Sequence, residues 1–142
     1  MAITNKNTGH WETDFTEDQI KESAGFVYLI TNKSTGQKYV GRKYVWSRRT
    51  IKVPDRKNKK HLLQEADWRS YSGSSKDLTN WIKASGKADF NFEILSIHKT
   101  RSETNFAELQ EQVDRRVLSA INDNGEFEYL NKNILGRFFR KR

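Results

Sequence analysis

The chain has 142 residues, no cysteine, 8 Phe, 5 Tyr and 4 Trp, and a net charge of +8. Without cysteine there are no disulfides, no thiol catalysis and no cysteine-ligated zinc, and the length suits one domain whose modest core is built from bulky aromatics. No stretch is apolar enough to span a bilayer, and the first residues lack a basic region followed by an apolar core, so a soluble cytoplasmic protein is expected.

Residues 1–24 read as a polar arm, with Glu12, Asp14, Glu17, Asp18 and Glu22 against Lys6 and Lys21, and a short helix near Thr16–Ser23. Phe26–Asn32 alternates as a strand, placing Val27 and Leu29 on one side and Tyr28 and Ile30 on the other. Lys33–Gly36 supplies turn residues, and Lys38–Gly41 returns as a second strand. With the turn centred between Ser34 and Thr35, Ile30 pairs with Tyr39, which puts Tyr28 and Tyr39 on one face. Residues 42–71 have little periodicity, and a short helix around Lys60–Asp67 is expected after the break at Pro54. Ser74 or Ser75 caps a helix with the stripe Leu78, Trp81 and Ile82, which Gly86 ends.

Asp89–His98 reads as the third strand. Ser102 then caps the longest helix, running to about Ile121. Its expected buried stripe is Phe106, Leu109, Val113, Val117, Ala120 and Ile121, with Glu108, Gln112 and Arg115 on the opposite, solvent side. The order strand, strand, helix, strand, helix predicts an α+β fold: a small three-stranded antiparallel sheet flanked by helices. The domain is expected over residues 25–135, between the acidic arm and a basic tail at 136–142.

Charge is segregated along the chain. Residues 38–60 hold Lys38, Arg42, Lys43, Arg48, Arg49, Lys52, Arg56, Lys57, Lys59 and Lys60 against Asp55 alone. The end of the chain adds Lys132, Arg137, Arg140, Lys141 and Arg142 with no acid after Glu128. Clustered positive charge interleaved with Tyr44 and Trp46 suits a polyphosphate backbone. His10, His61 and His98 lie far apart with no metal-ligand spacing, and no phosphate-cradling glycine loop of the P-loop type is present.

Several short motifs occur in a telling order. Gly25 precedes Phe26-Val27-Tyr28, and Tyr39-Val40-Gly41 follows, with the two tyrosines eleven positions apart. Arg49 lies eight positions past that glycine, with Arg48 beside it. Glu65-Ala66-Asp67-Trp68 then leads to Tyr71, Gly73, Ser74 and Ser75; Ile94-Leu95 ends a strand, Glu108 sits on the later helix, and Asn131 comes near the end. Together these resemble the GIY-YIG nuclease family over roughly residues 25–135, most closely its small phage-type members. The first motif departs from the family in reading Gly-Phe-Val-Tyr. Arg42, Arg48 and Arg49 all compete for the arginine, and Glu111 competes with Glu108.

The resemblance implies a metal-dependent endonuclease that hydrolyses phosphodiester bonds in double-stranded DNA. Glu108 would hold Mg²⁺ or Mn²⁺, Tyr28 would be the general base, and Tyr39 would orient the water or the phosphate. Arg49 would clamp the non-bridging oxygens, with Asn131 supporting the glutamate or a tyrosine hydroxyl. Nucleic-acid binding falls to Arg42, Lys43, Arg48, Lys59, Lys60, His61, Tyr71, Ser74, Ser75, Lys76 and Arg140. One domain carries one site, so cutting both strands requires two visits or two copies, such as a homodimer on DNA. Homing, restriction and DNA degradation are all compatible roles. Two rival readings also fit the residues: a nucleic-acid-binding module without catalysis, and a host-interaction protein that reuses the fold with the acidic arm as its contact.

Overall fold

The computed structural model describes residues 7–51, 60–73 and 75–141. The chain runs α1 (Glu17–Glu22), β1 (Gly25–Asn32), β2 (Lys38–Tyr44), β3 (Trp46–Ile51), β4 (Lys60–Glu65), α2 (Lys76–Ser85), β5 (Phe90–His98), α3 (Arg101–Asp114), β6 (Asn133–Ile134) and β7 (Phe138–Phe139). The fold is α+β, with a three-stranded antiparallel sheet ordered β2-β1-β5. Among the described residues no helix is long and apolar enough to cross a membrane.

The first hairpin forms in the expected register. Asn32 Oδ1 accepts from the backbone N–H groups of Ser34 and Thr35 at 2.9 and 3.0 Å, which shapes the turn. Ile30 then pairs with Tyr39, and Tyr28 falls opposite Gly41. One face of the sheet carries Phe26, Tyr28, Ile30, Phe92 and Ile94 under Trp11, Ile20, Trp68 and Leu78. The other carries Val27, Leu29 and Val40, packed with Val117, Tyr129 and Ile134. Helix α2 starts at the Ser75 cap and stops at Gly86, as its punctuation implies, and buries Leu78.

Four expectations need correction. Residues 60–65 are a strand and not a helix: β4 pairs antiparallel with β3 as a separate two-stranded ribbon. The acidic arm is built into the domain from Thr8 onward. Trp11 is buried against Phe26 and Phe92, and Glu12 adds a parallel bridge to Glu93 on β5. Glu65-Ala66-Asp67-Trp68 explains how: Trp68 is buried and donates to Glu65 at 2.8 Å, and Arg69 joins Glu65 to Glu17 of the arm. The basic tail likewise begins inside an element, because β7 pairs with β6.

The fourth correction concerns α3, which is capped by Thr100, ends at Asp114, and is rotated from the expected orientation, although Leu109, and Val117 and Ala120 beyond the helix, pack inward as expected. Phe106 and Val113 are exposed, while Thr104 and Gln112 are buried. The polar series Thr104, Glu108 and Gln112, one turn apart, therefore faces the sheet. Gly25 permits the approach, since a Cβ there would lie 2.8 Å from the Lys43 carbonyl oxygen and 3.0 Å from Thr104 Cγ2.

His10 ties the arm to the loop before α2. Its ring stacks on Phe92 with centroids 3.9 Å apart, and Nε2 donates to the Tyr71 carbonyl at 2.8 Å. Nδ1 is buried with no partner. Burial, helped by nearby Lys87, lowers the imidazole pKa from 6.5 to about 4. A pKa below the unfolded value means the neutral ring's contribution is complete above pH 6.5 and is lost as pH falls toward 4. Melting curves should therefore show His10→Phe less stable than the parent at pH 7.5, with the gap narrowing down to pH 4. A gap independent of pH would contradict a buried neutral imidazole.

Candidate active site at the edge of strand β2

Tyr28 is buried with its hydroxyl in a gap made by two glycines. A Cβ on Gly41, directly across the hairpin, would strike the phenol. One on Gly73 would lie 3.5 Å from the hydroxyl and would collide with Leu78, and Gly73 also holds a φ of +98°. Tyr39 stacks on Tyr28 with ring centroids 6.4 Å apart, and Tyr71 meets it edge-on at 5.9 Å. Burial pushes the Tyr28 phenol well above its ordinary range, with Tyr71, Tyr39 and Glu108 adding to the effect. Tyr39 is pushed up to about 12 by burial and by Glu108. Both are neutral phenols at neutral pH, and so hydrogen-bond donors.

The other half of the site comes from α3. Glu108, with 12% of its side chain exposed, accepts from Arg42 Nη1 at 3.0 Å. Gln112 Nε2 lies 3.4 Å from the second carboxylate oxygen and donates to the Val40 carbonyl at 3.2 Å. Burial raises the Glu108 pKa while Arg42 opposes the rise, so the carboxylate is only partly compensated. Because β2 is an edge strand, side chains from both of its faces reach this rim: Tyr39 from one, Arg42 from the other. They share a cavity of about 500 Å³ with Glu108, Ser75 and Asn131. The second acid on its wall, Asp77, pairs with Lys132 at 2.6 Å.

Asn131 has a different role from the one expected. Its Oδ1 accepts from the Val40 N–H at 3.0 Å and its Nδ2 donates to the Val40 carbonyl at 2.8 Å. Both ends of the amide are thus occupied in closing the outward backbone of an edge strand, and they do not reach Glu108 or a tyrosine hydroxyl. Glu111, the rival glutamate, lies outside this cavity and pairs with Arg115 at 2.8 Å along the helix.

A second hollow adjoins the first across Arg42. Arg42, Lys43, Tyr44, Tyr71 and Arg101 line it, and among the described residues no acid does. Lys43 Nζ sits 4.3 Å from the centre of the Tyr71 ring, and the Arg101 guanidinium 4.1 Å from that of Tyr44. Arg101 and Gln112 escaped the sequence reading. Arg101 did leave a signal, because a cation in the first turn of a helix opposes the helix dipole and calls for another reason to be there.

The remaining candidates scatter. Arg48 is exposed and lines a separate hollow with Trp46 and Leu63. Lys76 is exposed at the start of α2, next to Ser75. Arg140 is engaged structurally, donating to the Tyr129 carbonyl at 3.3 Å with its guanidinium 4.1 Å from the Phe127 ring centre. Arg49 pairs with Leu62 and His61 with Thr50 in the β3–β4 ribbon, where Lys60 pairs with Ile51; their side chains, like Lys59 and Ser74 as a whole, lie outside the described residues.

Comparison with known families gives one match. The profile described as "Putative endonuclease segE, GIY-YIG domain" covers residues 10–134. The chain belongs to the GIY-YIG endonuclease family. No curated protein and no solved structure matches it. The GIY-YIG match begins near His10 and Trp11, where the arm enters the core, and it ends on β6.

Among the described residues no three His, Cys, Asp or Glu side chains gather around one point. Of the two described acids that line the cavity, Glu108 is the one beside Arg42 and Gln112, and Asp77 pairs with Lys132. The chemistry of Glu108 fits a hard ion that keeps most of its waters, since the carboxylate is incompletely neutralised and opens on a polar cavity.

The ion pair gives a stability prediction. Arg42→Ala leaves a mostly buried carboxylate unpaired and should cost about 1–2 kcal/mol at pH 7, below the figure for a fully buried pair because Arg42 is 38% exposed. Glu108 already has a raised pKa, so protonation below that value removes the penalty. Denaturant unfolding at pH 7 and pH 4.5 should show the deficit shrinking in acid. An equal deficit at both would mean the carboxylate is not the cause.

Proposed function

We propose that this GIY-YIG domain is a Mg²⁺- or Mn²⁺-dependent endonuclease acting on double-stranded DNA. The observation that carries the reading is the partly compensated carboxylate of Glu108, set between a stacked tyrosine pair and an adjoining hollow lined, among the described residues, by three cations and no acid. Phosphodiester hydrolysis needs a water that loses a proton as it attacks, compensation of the charge growing on the phosphoryl oxygens, and a stabilised leaving oxygen. When bound at Glu108, the divalent ion supplies positive charge to the phosphate and acidifies water.

The chain's own residues divide the remaining work. Arg42 clamps the non-bridging oxygens, a task suited to a guanidinium fork and already positioned by Tyr44, which accepts from Arg42 Nε at 3.2 Å. Lys43 and Arg101 hold a neighbouring phosphate in the second hollow. Tyr39, on the cavity wall, donates to the attacking water or to a phosphoryl oxygen. Tyr28 sits beneath it as a neutral phenol. It becomes a proton acceptor only when cationic charge at the site lowers its pKa, which makes base catalysis dependent on the loaded site. The water's oxygen bonds to phosphorus as the bond to the leaving sugar oxygen breaks, and that oxygen takes up a proton.

Supercoiled plasmid incubated with Mg²⁺ should be nicked, and EDTA should abolish nicking. Glu108→Gln preserves volume and the contact to Gln112, so its melting temperature should match or exceed the parent's while cleavage falls by a factor on the order of 10³. Binding of DNA without metal should persist or tighten, since one negative charge has left a polyanion site. Cutting by the parent that survives EDTA, or by Glu108→Gln at the parental rate, would reject the mechanism.

The pH dependence follows from the same pair. The carboxylate must be ionised to take the ion, and its pKa in the metal-free protein is raised, so at sub-saturating Mg²⁺ activity is lost on acidification at a higher pH than for an exposed glutamate. Arg42→Gln removes the group opposing that rise and should move the acidic limb of residual cleavage to still higher pH. A limb that stays in place would separate Glu108 from the reaction.

A further inference from the structure

Apart from Ile134, the short β6–β7 ribbon makes no use of its own apolar residues in folding. Ile134 is buried and anchors it, but Leu135, Phe138 and Phe139 are 63%, 58% and 63% exposed. The turn between the strands places Leu135 and Gly136 at φ +60° and +62°, with Arg137 N–H donating to the Ile134 carbonyl at 3.1 Å. Two successive left-handed residues are ordinarily Asn-Gly or Gly-Gly, and a leucine there is strained. Packing does not account for this leucine, because its side chain lies in solvent. Its place does: Leu135 and Gly136 stand on the wall of the cavity that holds Glu108, Arg42 and Tyr39.

The surroundings of the ribbon select its occupant. From Tyr129 to Arg142 the sequence holds no acid; Arg137 and Lys141, next to the apolar residues in sequence, are exposed, and Lys132 ahead of them is paired with Asp77. A second copy of the ribbon would bring these cations against their own kind. A nucleic-acid duplex offers the complementary pair: phosphates for the cations and stacked base faces for the apolar wedge.

We propose that the β6–β7 ribbon is a wedge that unstacks a base-pair step of duplex DNA beside the phosphate clamped by Arg42, with Leu135 leading and Phe138 and Phe139 covering the opened base faces. The proposal rests on the nuclease reading for the position of the DNA. Unstacking would draw the backbone at that step into the cavity and would make the scissile site depend on how easily a step opens, as pyrimidine–purine steps do.

The test uses the full chain and two variants. Leu135→Gly suits a positive φ, so it should fold at least as well as the parent; the second variant carries Phe138→Ser and Phe139→Ser. Short duplexes with 2-aminopurine at successive positions, titrated in EDTA, should brighten several-fold with the parent at one or two positions and much less with either variant. In Mg²⁺, each variant should cut fully paired linear duplex about tenfold more slowly than the parent. On the same duplex with two mismatched pairs, already open, that deficit should narrow to about twofold. Equal loss on paired and mismatched DNA, or variants that change only the oligomeric state in light scattering, would overturn the wedge. A parent that cuts paired DNA without brightening any duplex would overturn the wedge and leave the nuclease reading standing. A parent that brightens duplexes in EDTA and cuts nothing in Mg²⁺ would support the wedge and reject the nuclease.

Discussion

The Tyr28 hydroxyl lies where two other stretches of chain would otherwise put side chains, and the rest of the site depends on that gap. Gly41 opens it from the neighbouring strand, and Gly73 opens it from the loop that leads into α2. Tyr39 and Tyr71 close around the same ring. A single phenol thus ties together the hairpin and the start of the second helix. Burial follows directly, and burial keeps the tyrosines neutral until charge arrives. The tyrosines are therefore packing first, and the chemistry proposed for them is conditional on that charge.

A second constraint explains why the site stands at this edge of the sheet. An edge strand shows unpaired backbone groups to its surroundings. At Val40 they are closed by the amides of Asn131 and Gln112, both buried, and not by another strand. Side-chain closure leaves the rim of β2 open to a cavity that a fourth strand would have covered. It also brings the polar face of α3 down onto the sheet, which carries Glu108 into the space beside Tyr39. Arg42 then neutralises part of a charge that the fold has placed mostly out of water.

The parts of this arrangement written in local pattern were legible in the sequence. The hairpin register followed from period-two alternation and turn residues, and the bounds of α2 from Ser75 and Gly86. The orientation of α3 was not legible, because apolar periodicity assumes that the inner face of a helix is its apolar face. Here the inner face sets Thr104, Glu108 and Gln112, held by hydrogen bonds and an ion pair, beside Leu109, while Phe106 and Val113 face outward. The candidate site departs from the rule that the buried face is the apolar one. The β3–β4 ribbon hid for a related reason: its basic residues carry no alternation of apolar and polar positions from which a strand can be read. Asn131 was found by motif order, but its hydrogen bonds to Val40 belong to tertiary structure, which motif order does not contain.

The gap beneath Gly41 can be measured directly by a double-mutant cycle with Tyr28, followed by denaturant unfolding. In the parent, Gly41→Ala forces a methyl against the phenol and should destabilise by about 1–3 kcal/mol. In a Tyr28→Leu background the ring and hydroxyl are gone, and Gly41 has no positive φ to forbid a side chain. There the same change should be neutral or should stabilise by roughly 0.5 kcal/mol, as removing a glycine from a strand does. A cost that reverses between the two backgrounds is the result this account predicts; an equal cost in both would contradict it.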